Sequence, residues 1–562
     1  MDTEKLRTAI YIYGRAFVAR SIPFAKAGLV VVAGTLSVAY FFRYQIENQF
    51  TLLLSDRYDG VIEISILEHW YNVLRGKSLW SQTNYFFPVH DTLAYNDGYL
   101  IYGLIYSIFR SLRIDPFLSG EAVSVVVRAV GFPAFYFACL RILKLNWKWA
   151  LLGATLFTVS NNSLIRANHQ QLLSVSFVPL LGLLLYNSIT ALAENRSTRF
   201  LAWGSAFVCL HAAWLMTSYY MAWYFVFYGS VTLVILVVIS PRSTMRNFGA
   251  VCAKQKWVGA FLVALTVLIN VPFLLLYLPK AIETGMHPYR EVLSFSPALV
   301  DVVHLNMLFG NLEDVLYRYL RPGDPVYSEL STGLSPGLLF VFVCAIIFLF
   351  RKDISDGTNQ KVLVRALAFA AIGTWATILH VKSFSAWYFI YYLVPGAKAA
   401  RVLARYQIFL TAPVVGVAMF YLAKQAKMIG VPILMAICFF LIAEEINGPG
   451  LALDRLHELA RLERVPLQPP ECSVFFVSAA RPEKYMNRNI DGIYSHNVDA
   501  MLIAEMRNLP TINGFATFVP PGWDLVDPVS SSYLEKVQAY VSRYHVRNLC
   551  DLDLKTMVWK AK

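Results

Sequence analysis

Apolar residues in this chain gather into long runs separated by short polar stretches from residue 27 to residue 446; beyond that, polar and apolar positions alternate at short range. A bilayer core is crossed by about 20 consecutive apolar residues. On that measure spans are expected near 27–43, 117–140, 149–165, 172–192, 201–217, 219–240, 257–278, 334–350, 363–381, 406–423 and 429–446. A further apolar run at 98–110 is too short to cross comfortably and reads as a helix lying in the interface. The predicted fold class is a polytopic α-helical membrane protein with about eleven transmembrane helices.

Basic residues orient these spans, because cytoplasmic loops carry the excess of Lys and Arg. With 98–110 not spanning, Arg141, Lys144, Lys148, Arg196, Arg199, Arg242, Arg246, Lys254, Lys256, Arg351, Lys352, Lys361, Arg365, Lys424 and Lys427 all fall inside. Counting 98–110 as a span would invert every later loop. The N-terminus is therefore expected in the cytoplasm and the C-terminus outside. Lys5, Arg7, Arg15, Arg20 and Lys26 precede the first span with no small-residue cleavage site after it, the pattern of a signal anchor. The outside segments are 44–116, the turn 161–171, 279–333 and 382–405. The expected domains are a membrane part, 1–446, carrying the loop 44–116, and an extracytoplasmic tail, 447–562. In the tail, Ser473–Val477 reads as a strand, Val498–Arg507 as a helix, Thr511–Gly514 as a strand ending in a turn, Tyr533–Tyr544 as a helix and Val546–Cys550 as a strand. Such alternation predicts a small α/β domain. There is no internal repeat and no low-complexity tract.

Composition agrees. The chain is 57% hydrophobic and 15% charged, against about 25% charged for a soluble domain. The net charge of +13 is accounted for by basic cytoplasmic loops. Nucleic-acid binding would need a compact basic domain, and none is present. Cys139, Cys209, Cys252, Cys344 and Cys438 fall in or beside apolar spans and read as packing residues. Cys472 and Cys550 lie in the tail, where an extracytoplasmic location allows a disulfide. No CxxC or Cys/His metal spacing occurs.

Several polar groups stand where they could do chemistry. Asp56 and Asp59, in Ser55-Asp56-Arg57-Tyr58-Asp59-Gly60, head the loop just beyond the first span. A carboxylate there can act as general base or hold a divalent cation; alternatively, Asp59 simply caps a helix at 62–74. Asn96-Asp97-Gly98 reads as a turn, or as a second polar wall of the same cavity, with Tyr95 and Tyr99 forming an interfacial belt or a sugar-stacking surface. The turn 161–171 is unusually polar, and its His169 could orient a phosphate or an acid or be plain hydrogen-bonded structure. Lys398, Arg401 and Arg405 lie outside, against the positive-inside trend. Spaced four apart, Arg401 and Arg405 would share a helix face and match a phosphate, or else snorkel to lipid headgroups.

Taken together these features resemble the GT-C superfamily of membrane glycosyltransferases, which includes protein O-mannosyltransferases, the aminoarabinose transferase of lipid A and the catalytic subunit of oligosaccharyltransferase. The nearer similarity is to uncharacterised bacterial GT-C-like membrane proteins. Their motifs are matched here by Asp59, Trp70, Phe86-Phe87-Pro88, Thr92-Leu93-Ala94-Tyr95-Asn96-Asp97, Asn168-His169, Pro395-Gly396, Arg401-Val402, Arg405-Tyr406 and Asn513-Gly514-Phe515. The resemblance implies a transferase in the inner (plasma) membrane, acting at the periplasmic face in cell-envelope assembly. It would move a sugar from a polyprenyl-phosphate donor to a glycan, lipid or protein acceptor, with inversion. It assigns Asp59, with Asp56 as alternate, to catalysis, and Asp97, Tyr95, His169, Arg401 and Arg405 to substrate. It leaves room for a divalent cation, Mg or Mn, although His169 and Gln170 stand where several superfamily members carry an acid. The rival readings are a transporter or flippase of lipid-linked glycans and a non-catalytic envelope scaffold. Transporters tend to be built from repeated halves, which this chain lacks.

Overall fold

The computed structural model describes residues 26–561 except 242–248, 250–253, 305–314, 316–318, 320–327, 351–358, 449, 451 and 482–487. The apolar runs expected to span are helical, one of them with a break, as they must be where no water is available to satisfy N–H and C=O groups. Among the described residues six helices are long and apolar enough to cross a membrane: Pro116–Arg141, Gln170–Ala193, Tyr219–Ile239, Lys256–Thr284, Gln360–Ile378 and Leu403–Ile429. Lys26–Phe41, Pro336–Phe350 and Val431–Ala443 are apolar but shorter. Ser197–Leu215 has 19 residues and is diluted by Arg199 and His211. The run expected at 149–165 is broken, its helix ending at Thr158 and a five-residue helix starting at Asn161. The break has a cause in Arg128, whose buried guanidinium donates to the carbonyls of Phe157 (2.8 Å) and Thr158 (2.9 Å) and draws off the end of the helix.

The loop after the first apolar helix is built on two helices. Asp59–Leu74 is almost wholly buried, and Leu100–Ser111 packs across it. They meet closely at Gly103, where a Cβ would stand 2.3 Å from the Trp70 ring. The far side of Leu100–Ser111 exposes Leu104, Ile108 and Leu112, an i, i+4, i+8 apolar stripe suited to lying on a bilayer.

The opposite side of Asp59–Leu74 is covered by Arg488–Arg507 of the tail. The tail carries a three-stranded sheet: Val474–Ala479 runs parallel to Leu549–Asp553, which pairs antiparallel with Val558–Ala561. Cys472 and Cys550 form a disulfide with Cα atoms 5.6 Å apart. Two strand boundaries differ from expectation. Thr511–Gly514 shrinks to a single bridge between Phe475 and Thr511; Phe86 and Phe87 of the first loop instead take the carbonyls of Asn513 and Thr511, at 3.0 and 2.9 Å. The last expected strand starts at Leu549 rather than Val546, after left-handed backbone at His545 and Asn548. One face of the sheet has its own small core around Phe475, Val477 and Ile503, while Val474, Phe476 and Met501 join the main core.

Candidate active site

Asp56 and Asp59 have separate roles in the fold. Asp56 Oδ1 accepts from the backbone N–H of Tyr58 (2.8 Å) and Gly60 (3.3 Å), and its Oδ2 accepts from Asn168 Nδ2 (2.9 Å). Asp56 thus does the capping that the sequence suggested for Asp59. The turn is tight: a Cβ on Gly60 would fall 1.7 Å from Ser55 Oγ. Asp59 is the first residue of the helix, and its side chain keeps 40% exposure. Of the two acids it is the one free to meet a substrate.

Behind Asp59 stands a chain of charged groups. His169 Nδ1 lies 3.6 Å from Asp59 Oδ2, and His169 Nε2 lies 3.3 Å from Glu329 Oε1. Arg405 Nη2 is 3.1 Å from His169 Nε2, and Arg405 Nε and Nη2 donate to Glu329 at 3.1–3.3 Å. His169 Nε2 either accepts from Arg405 Nη2 or, when protonated, donates to Glu329. The four side chains come from segments 44–116, 161–171, 279–333 and 382–405, one from each segment expected outside.

Burial raises the Asp59 pKa; His169 pulls it back and Asp56 pushes it further up. Burial alone would also raise Glu329, but Arg405 and His169 more than offset it and hold the carboxyl well below the usual range. One helical turn on from Asp59, Glu63 is buried and accepts from Tyr99 Oη (2.8 Å) and the Gln170 N–H (3.0 Å), tying the acid-bearing helix to the His169 turn.

The other expected residues fall into place around this cluster or away from it. Arg401 and Arg405 do not share a helix face. Their segment runs as two 3-10 turns, Ala397–Ala399 and Leu403–Arg405, with Ala400–Val402 between them. The loop 279–333 captures its backbone, Ala404 N–H donating to Phe295 O (3.1 Å) and Thr332 Oγ1 to Ala404 O (2.6 Å). Arg401 lies 3.7 Å from Glu291 and is 38% exposed. The two arginines still flank one ring: the Arg401 N–H donates to Tyr220 Oη (3.0 Å), and Arg405 Cζ stands 5.7 Å from the Tyr220 centroid. Asp97 accepts from the Tyr219 N–H (2.9 Å) at a helix start, and burial raises its pKa to about 6. Tyr95 is buried, neither belt nor stacking surface; its hydroxyl donates to Glu283 (2.7 Å) and receives Lys280 Nζ (3.1 Å). Tyr99 is buried as well. Asp314, an acid of the segment 279–333, and Cys252, with the basic residues Lys5, Arg7, Arg15, Arg20, Arg242, Arg246, Arg351 and Lys352, lie outside the described residues.

Glu329, Glu63 and Arg166 were not singled out as site residues in the sequence. Glu329 was one acid among several in 279–333, and no periodicity marked it. Glu63 carried a legible signal, the i+4 spacing from Asp59.

A divalent cation does not fit this donor set. His169 sits between Asp59 and Glu329 with one ring nitrogen toward each, and Arg405 already occupies Glu329. Hard cations want several oxygens converging on one point, and no group of three or more His, Cys, Asp or Glu among the described residues could hold a metal ion.

No protein-family model matches the chain, and no curated protein matches it. Solved structures do. The apo oligosaccharyltransferase of Archaeoglobus fulgidus is similar over 93% of this chain and 69% of its own, with 10% identity and a TM-score of 0.50. The same enzyme tethered to an acceptor peptide with an NVT sequon is similar over 94% of this chain and 68% of its own, again at 10% identity and a TM-score of 0.50. The chain therefore shares its fold with the archaeal oligosaccharyltransferase.

Proposed function

We propose that this chain is a membrane glycosyltransferase moving a sugar from a polyprenyl-phosphate-linked donor to an acceptor on the non-cytosolic face. The observation carrying this reading is the convergence of Asp59, His169, Glu329 and Arg405 from four segments expected on one side of the membrane. The shared fold supports it.

Asp59 removes the proton from an acceptor hydroxyl as the acceptor oxygen bonds to the anomeric carbon. The bond from that carbon to the donor phosphate breaks in the same displacement, and the configuration inverts. Arg405 takes the charge developing on the departing phosphate. Its Nε and Nη2 are committed to Glu329 and His169, which leaves Nη1 for the ligand. Arg401, half-exposed beside Tyr220, supplies a second cation at the rim. Asp56 holds the turn, and Asp97 caps a neighbouring helix on the same side. Leu100–Ser111 and the described residues of the segment 279–333 cover the cleft and exclude water. In this reading residues 1–446 form the membrane part and 447–562 an extracytoplasmic domain, eleven spans place that domain in the periplasm, and the acceptor is a glycan, lipid or protein. A peptide-tethered relative of the same fold supports counting polypeptides among the acceptors.

The test is Asp59→Asn, which keeps shape and removes the base. Transfer from a polyprenyl-phosphate sugar should fall by about 10²–10⁴-fold with the Cys472–Cys550 disulfide and thermal stability intact. Undiminished transfer would rule the reading out.

A further inference from the structure

Arg166 is the anomaly of this region. It is 6% exposed, its Nε is buried without a hydrogen-bond partner, and its guanidinium pairs with no carboxylate among the described residues. An unpaired buried charge is among the costliest things a fold can carry. The residue is held in position by its backbone, whose carbonyl accepts the His169 N–H (3.1 Å) in the turn that supplies the site histidine. The charged groups acting on it are Glu329 and Arg405, the first favouring its charged form and the second opposing it, while burial lowers its pKa to about 10. Both oxygens of Glu329 are already engaged by Arg405. Arg166 thus belongs to the turn that carries His169, whose Nε2 lies 3.1 Å from Arg405 Nη2, and the Arg166 Nε remains uncommitted there.

We propose that Arg166 and Arg405 together form a phosphate-binding site. A phosphate carries up to two charges and several terminal oxygens, so it can accept from two guanidiniums at once; a carboxylate offers one charge. The arginine pair lies across two segments, rather than four residues apart in one as the sequence suggested. This inference rests on the transferase reading for the identity of its ligand, the phosphate of the lipid-linked donor, while the phosphate chemistry stands by itself.

The experiment measures binding to the full-length protein in detergent without turnover. The probes are a short-chain polyprenyl monophosphate and inorganic phosphate as its competitor. Arg166→Met is expected to raise the Kd for the lipid phosphate at least tenfold, Arg166→Lys to recover part of the loss, and Tm to hold or rise, because no native partner is removed. Competition by inorganic phosphate would mean that the headgroup alone suffices; its failure, with the lipid probe still dependent on Arg166, would mean that the chain contributes too. An unchanged Kd in Arg166→Met would overturn the inference, as would a Tm loss that Arg166→Lys restores without restoring binding. Failure here leaves the Asp59 test untouched. Conversely, an Asp59→Asn protein with full transfer would remove the transferase reading and leave the phosphate site standing.

Discussion

At the scale of single residues, the two loop acids are separated by their hydrogen bonds. Asp56 spends both oxygens on the turn, while Asp59 keeps its carboxylate open and His169 near it. A general base works only when unprotonated, so transfer should fall as pH drops through the Asp59 pKa, which burial sets above the usual carboxylate range. Asp56 pushes that pKa up and His169 pulls it down. Asp56→Asn should therefore move the acid limb of kcat/KM to lower pH, and His169→Gln should move it to higher pH. Profiles that shift together, or not at all, would remove Asp59 from the role of base. The early acid, His169 and Arg405 were legible because ionisable groups beside membrane spans are costly and few. Arg166 and Glu329 were not, since what a charge faces is visible only once its neighbours are known. The Arg401–Arg405 spacing misled because it assumed a helix that Pro395-Gly396, with Gly396 at φ 85°, does not start.

At the scale of elements, the short apolar helix Leu100–Ser111 was legible in its length, and its partner was not. Leu100–Ser111 turns Tyr106 inward to donate to Glu68 (2.6 Å), and Arg110 Nε donates to the same acid (2.9 Å). Trp70 Nε1 donates to Gly98 O (2.6 Å), so the Trp70 ring is fixed against the Gly103 backbone. Gly103→Ala puts a methyl group into that contact and should cost about 1–3 kcal/mol of stability, read as a lower Tm of the full-length protein. An unchanged Tm would mean that the two helices can slide apart, and that their contact is less rigid than its distances imply. The missed break after Thr158 has a similar origin. The sequence of that run is apolar enough to continue, and the interruption comes from Arg128 on a neighbouring helix.

At the scale of the whole molecule, the tail reaches back to the acid-bearing turn. Arg57, between Asp56 and Asp59 in sequence, pairs with Asp499 and lies 3.1 Å from Glu458; Arg461 and Arg481 each lie 3.1 Å from Asp499. All five side chains are buried, so three guanidiniums share two carboxylates away from water. Burial would raise Asp499, yet Arg57, Arg461 and Arg481 hold it at about 2 against an ordinary 3.8. A depressed carboxyl contributes stability that is complete above its ordinary value and is lost as pH falls toward the folded one. The contribution of Asp499 to native stability should therefore be level above about pH 4 and decline below it. Asp499→Asn should flatten that decline and cost about 3–5 kcal/mol at neutral pH, because it leaves the arginines around Glu458 alone. Transfer should drop too, although neither loop acid has been touched, since Arg57 would lose the anchor that fixes the turn. Chemical unfolding and turnover on the same preparations decide the matter: a variant with native stability and native turnover would mean that the tail merely rests against the loop and does not organise it.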